Sequence, residues 1–123
     1  MVKYNNKELA EAFVNASSRN GEGSHLYIEG NVLYSYGEHF PLAIRLWAND
    51  TDENSEPFFL VNNGTYSNTT TRHQSLVIKA LIKYGVPESR IMGKPTRELI
   101  QIARTKIISM KELMAIKITG EEN

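Results

Sequence analysis

Between residues 5 and 17 the apolar residues Leu9, Ala12, Phe13 and Ala16 recur at helical spacing. Asn5 and Glu8 stand ahead of them at capping-box separation, so the pattern predicts a helix over 5–17. Residues 17–23 are polar and Gly-containing, as a loop requires. From residue 25 the period changes to two. Gly30-Asn31 separates two short β-rich runs, which predicts a hairpin over 25–36 with Ile28 opposite Leu33, Tyr27 opposite Tyr34 and His25 opposite Tyr36. Strict alternation then gives one aliphatic face (Leu26, Ile28, Leu33) and one aromatic face (Tyr27, Tyr34, Tyr36, with His25). After a corner at Gly37–His39, a third strand is expected, with Phe40, Leu42, Ile44 and Leu46 alternating against Ala43, Arg45 and Trp47. Pro41 suits its beginning or a sheet edge. Phe58–Val61 reads as a fourth strand and Asn62-Asn63-Gly64 as a turn.

A long helix is predicted over 71–84. Thr71 and Gln74 have capping-box spacing, and Gly85 and Pro87 stand at its end. It is apolar on more than half its circumference, so it belongs in the core. A helix over 96–105 follows Pro95. Ser109 and Glu112 predict another over 109–117, with strand near 105–109 or 114–119 as the alternative. Gly93-Lys94-Pro95 is the natural joint. The pattern therefore predicts an α+β fold: an antiparallel sheet of about four strands over 25–61, packed by an N-terminal helix and a central helix, with a basic helical C-terminus. It is read as one domain, 1–123, with a core over 1–92 and a helical extension over 93–123.

Composition narrows the chemistry. A chain of 123 residues can bury a core without staples, and it has no cysteine, which excludes disulfides and thiolate chemistry. MVKYNNKELAEAF has no long apolar run, so neither a signal peptide nor a spanning helix is expected, and a cytoplasmic setting follows. The Asn-x-Ser/Thr matches at Asn15, Asn63 and Asn68 are then chance. Asp50, Asp52 and Asn54 have the opening spacing of a calcium loop. Ser55 and Val61 stand where that loop needs Gly and Glu, so no calcium site is expected. Charge is uneven: residues 1–62 carry 4 Lys/Arg against 9 Asp/Glu, and residues 63–123 carry 10 against 5. A basic half of this kind suits an anionic partner.

Two stretches, Leu33–Arg45 and Asn62–Gln74, hold the candidate chemistry, and they are expected to face each other. In Asn68–Gln74, Thr69, Thr70 and Thr71 surround an expected helix start, with Arg72 and His73 in its first turn; hydroxyls, free amides and a guanidinium suit a phosphate. In Leu33–Arg45, Tyr34, Tyr36 and His39 could stack on bases or anchor a protein interface, and Tyr66 repeats the Tyr-Ser chemistry. A Ser-His-Asp set could come from Ser35 or Ser67, His39 or His73, and Asp50 or Asp52, but no nucleophile elbow accompanies it. His25, His39 and His73 lack the paired spacing of a metal site. No cofactor is implied, and the residues favour binding over catalysis.

The string LYIEGNVLYSYGEHFPLAIR, followed by VNNGTYSNTTTRHQ, resembles a family of small proteins from bacteriophages and bacteria. Its members share G-x-x-(L/I)-Y-S-Y-G-x-H-F-P-(I/L)-A, then Y-S-x-T-T-x-x-H. The match covers about residues 25–75. Gly30, Tyr34, Ser35, Tyr36, Gly37, His39, Phe40, Pro41, Ala43, Tyr66, Ser67, Thr69, Thr70 and His73 fit it. Asn31 stands where Asp is usual, and Ile44 is inserted before Arg45. The resemblance implies a phage or mobile-element accessory protein in the host-cell cytoplasm and brings no activity with it.

The leading expectation is binding to nucleic acid or another phosphate-bearing ligand. The cations involved would be Lys79, Lys83, Arg90, Lys94, Arg97, Arg104 and Lys106. One alternative is an anti-defence protein that blocks a host immune effector, such as a CRISPR effector, through the acidic loop 50–56. Another is a small-nucleotide binder or hydrolase centred on Ser67, Thr70, Arg72 and His73. A homo-oligomer is compatible with each.

Overall fold

The computed structural model of the chain describes residues 2–3, 5–16, 21–37, 40–47, 56–64, 68–107 and 109–115. Among them the elements run β1 (Val2–Lys3), α1 (Asn6–Val14), β2 (Gly21–Glu22), β3 (Leu26–Glu29), β4 (Val32–Ser35), β5 (Pro41–Leu46), β6 (Phe58–Asn62), α2 (Asn68–Lys83), β7 (Ile91–Lys94), α3 (Thr96–Thr105) and α4 (Met110–Met114). The α+β class is as expected. The sheet is larger, with seven strands in the order β1-β2-β3-β4-β5-β6-β7. The additional strands, β1, β2 and β7, are 2 to 4 residues long, too short to show a period of two. The expected joint lies partly in β7: Gly93 and Lys94 pair with Val61 and Asn62 of β6. The expected boundary after residue 92 therefore falls inside a strand.

The topology explains the layers. β1 pairs with β2 and β6 with β7 in parallel, and the pairs between β2 and β6 are antiparallel. Strands β1, β2, β4, β6 and β7 thus point one way. The two parallel pairs are joined through α1 and α2, and both crossovers step in the same direction along the sheet. Right-handed crossovers of the same sense put both helices on the same face. Leu9 and Phe13 of α1, Val77 and Leu81 of α2, and Leu26, Ile28, Leu33, Phe59 and Val61 of the sheet form one buried cluster there. Phe13 meets Phe59 edge-on at 6.1 Å. On the other face Leu99 and Ile102 of α3, followed by Ile107, cover Val32, Tyr34, Ile44, Leu46 and Leu60.

The hairpin register is as expected, Tyr27 against Tyr34 and Ile28 against Leu33. Gly30 has φ 66°, which a first-position turn glycine supplies without a Cβ clash. The third strand departs from simple alternation. Leu33 pairs with Ala43 and Tyr34 with Pro41, so Leu42 is the extra residue of a β-bulge. The bulge turns Leu42 and Ala43 both toward α1 and α2, and Ile44 and Leu46 toward α3. The aromatic face also divides. Tyr27 and Tyr34 stack at 5.0 Å on the α3 side, whereas Tyr36 lies 5.8 Å from His73 of α2. His25 and Tyr36 have φ 70° and 68°, and a left-handed residue breaks the alternation.

The expected capping box over 5–8 is present in full. The one at Thr71 and Gln74 is not, because α2 begins at Asn68. The Gln74 amide instead donates to the carbonyls of Asn62 (3.0 Å) and Gly64 (2.8 Å). Helix α2 ends as expected: Gly85 has φ 70° and Val86 N–H donates to Leu81 O at 3.0 Å. Helix α3 matches its expected range. Ser109 caps α4, which is shorter than expected, and residues 116–119 lie outside the described residues.

Asn31 does more than turn the hairpin. Its side-chain amide donates to the carbonyls of Arg45 and Ile107, each at 3.0 Å. The turn thus clamps β5 and the segment after α3 together. A carboxylate cannot donate, and Asp would set its oxygens against two carbonyl oxygens. Asn31→Asp is expected to destabilise the fold by about 1–3 kcal/mol, read as a lower urea midpoint. An unchanged midpoint would remove the clamp.

Candidate functional site

Because β4 and β6 run parallel, Ser35 and Asn62 end at the same edge of the molecule, and α2 begins there. The two stretches singled out in the sequence therefore meet. Ser35 Oγ and His73 Nδ1 are hydrogen-bonded at 2.8 Å, and both residues are buried. The His25 ring stacks on Tyr36 at 4.6 Å, and Tyr36 N–H donates to His25 O at 2.7 Å. Two non-glycine residues in the left-handed region cost roughly 1–2 kcal/mol each, and this stack and hydrogen bond hold them. Tyr36 is 55% exposed, so its ring reaches solvent from this strained position.

The buried pair has the residues of a nucleophilic dyad without the access. Ser35 is 0% exposed, so no substrate atom can reach its oxygen in this conformation. The pair satisfies two polar groups that would otherwise be buried alone. Burial, followed by the charge of nearby His25, pushes the His73 pKa below the ordinary histidine range. The expected threonine ring does not form. Consecutive helix positions fan round the axis, so Thr70 and His73 turn inward while Thr71 and Arg72 are exposed and Thr69 is half-buried. His39, Tyr66, Ser67, Asp50 and Asp52 lie outside the described residues. Among the described residues no group of three or more potential metal ligands occurs.

Asn62, which the sequence marked only as a turn, organises this edge. Its amide donates to Pro41 O at 2.8 Å and to Thr96 Oγ1 at 3.1 Å, and its oxygen accepts from Gly64 N–H at 2.7 Å. It joins β5, β6 and the start of α3. A Cβ on Gly64 would meet Thr96 Oγ1 at 2.9 Å, too close for any other residue without a shift.

At the opposite edge lies a cavity of about 470 Å³. It bends round the β3–β4 turn, from Phe13 and Ala16 at the end of α1 past Glu29, Gly30 and Asn31 to Ile100, Ala103 and Arg104 of α3. Tyr34, Arg45, Trp47 and Lys106 also line it. Trp47 is held there because its carbonyl accepts from Met110 N–H at 2.7 Å. Among the described residues, Arg45, Arg104 and Lys106 thus share the cavity with the carboxylate of Glu29. The structure also sorts the basic residues. Lys83 is paired with Glu11 at 3.1 Å, Arg90 with Glu56, and Lys94 approaches Glu98 at 3.6 Å. Arg97, Arg104 and Lys106 are exposed, with no ion pair among the described residues. Arg45 and Trp47, seen in the sequence as strand residues, join Arg104 and Lys106 here. Only the tertiary fold could bring them together.

Compared with protein-family models, curated proteins and solved structures, the chain matches none. The functional reading rests on geometry. No helix among the described residues is long and apolar enough to cross a membrane.

The His73 shift has a definite sign. Its folded pKa lies below the unfolded value, so the unfolded chain takes up the proton first as pH falls. Its stabilisation is complete above about pH 6.5 and is lost as pH falls through the folded value, by at most about 1.4 kcal/mol per pH unit. Urea midpoints at pH 7.5, 6.5 and 5.5 should fall in that order, and His73→Gln should flatten the trend. A slope that His73→Gln leaves intact would assign it to other groups.

Proposed function

We propose that this protein acts by binding nucleic acid through the outer face and C-terminal end of α3. The observation that carries this reading is the sorting of cations. Lys83, Arg90 and Lys94 lie beside carboxylates, whereas Arg97, Arg104 and Lys106, like Lys79 on α2, are exposed with no ion pair among the described residues. Leu99 and Ile102 anchor the opposite face of α3 in the core, which fixes those cations on a rigid element. Contacts of this kind are made to phosphates, tolerate any sequence and weaken with salt. The motif in residues 25–75 adds a phage or mobile-element setting to the proposal, with host-cell nucleic acid within reach.

A second reading, a protein-binding module that blocks a host defence effector, is favoured by Tyr36. An exposed ring held on strained backbone has the form of an interface anchor. Of the acidic loop 50–56 only Glu56 is described, and it is paired with Arg90.

Fluorescence anisotropy with a labelled single strand, from 50 to 200 mM salt, tests the leading reading. Arg97→Glu with Arg104→Glu is expected to weaken binding about tenfold or more and to reduce the salt slope by about one unit or more. Unchanged affinity and slope would overturn it. Tyr36→Ala is expected to leave this binding unchanged, and it separates the two readings.

A further inference from the structure

We propose that the cavity around the β3–β4 turn is a nucleotide site, which takes a phosphorylated nucleoside either free or as the end of a strand. The inference rests on the nucleic-acid reading above and deepens it. A volume of about 470 Å³ suits one small ligand, since such sites run to about 300–1,000 Å³. The lining has the polarity of a nucleotide. Val32, Tyr34, Ile100 and Ala103 form an apolar wall, and Arg104 and Lys106 stand beside it. A base is flat and mostly apolar at its faces, and its phosphate is anionic. An arginine fork meets phosphate with two parallel hydrogen bonds, and a lysine adds a point charge.

Four further features point the same way. Arg45 lines the cavity from β5, so the positive charge is not explained as a complement to the α3 dipole alone. Lys106 ends α3 at φ 56°, the left-handed position that helices usually give to glycine. A lysine there carries a conformational cost and places its amine beside the cavity. Gly30 sits at the cavity with open space where a Cβ would stand, so a ligand can approach its backbone. Glu29, the carboxylate among the described lining residues, supplies an acceptor for a sugar hydroxyl.

The chain has one tryptophan, Trp47, and it lines this cavity, so its emission reports on occupancy. Calorimetry and Trp47 emission would be followed at low salt with three probes: AMP, a 5′-phosphorylated single strand, and the same strand without its terminal phosphate. A saturable response is expected, weakened at least tenfold in Arg104→Glu/Lys106→Glu. Ala103→Phe, which fills the cavity and changes no charge, should abolish it, and circular dichroism would confirm that both variants fold. Binding of AMP assigns the site to free nucleotides. Binding of only the phosphorylated strand assigns it to strand ends. Strand binding that ignores the terminal phosphate and survives Ala103→Phe overturns the cavity site and leaves the α3 surface standing. No binding of any probe overturns both.

Discussion

The structure depends on burying both faces of the strip formed by β4, β5 and β6. All four residues of β4 are buried, as are Phe59, Leu60 and Val61 in succession in β6. A strand buried on both faces needs a layer above and a layer below. Helices α1 and α2 supply one, and α3 with Ile107 the other. The bulge at Leu42 makes this division possible. It gives Leu42 and Ala43 to the first core and Ile44 and Leu46 to the second, although simple alternation would put Leu42, Ile44 and Leu46 together.

The same constraint separates the two edges of the molecule. Where β4 and β6 finish, buried polar groups are tied to one another: Ser35 to His73, Asn62 to Pro41 and Thr96, Gln74 to Asn62 and Gly64. Among the described residues there, the Tyr36 ring is exposed to solvent. Where β4 begins, α1 and α3 both end, and the layers part around the hairpin turn. The open cavity lies there, bordered by Arg104 of α3 and by Lys106 just beyond it. Binding chemistry thus collects where packing stops, while hydrogen-bonding capacity is spent at the other edge on holding the fold.

Asn31 links the two halves of the chain. Its amide reaches from the β3–β4 turn to the carbonyl of Ile107, beyond α3. The hairpin turn and the C-terminal segment are thereby tied together. A donor is needed at the turn because a carbonyl from that segment faces it.

Period and caps determined most of the local structure. Leu9, Ala12 and Phe13 with the Asn5–Glu8 box defined α1, Gly30-Asn31 set the hairpin register, and Pro95 placed α3, because these signals are interactions between residues close in the chain. The same patterns anticipated that Ser35 and His73 lie in facing stretches. They could not reveal β7, whose four residues take their conformation from pairing with β6, or the bulge at Leu42, which a two-residue period hides. They also misplaced the start of α2, which lies at Asn68, and Gln74 donates to the carbonyls of Asn62 and Gly64 instead of closing a cap. The cavity depends on Arg45, Trp47, Arg104 and Lys106, which are up to 61 positions apart and carry no shared signal. Their meeting was decided by tertiary structure alone, because which charges pair and which stay open depends on distance in space.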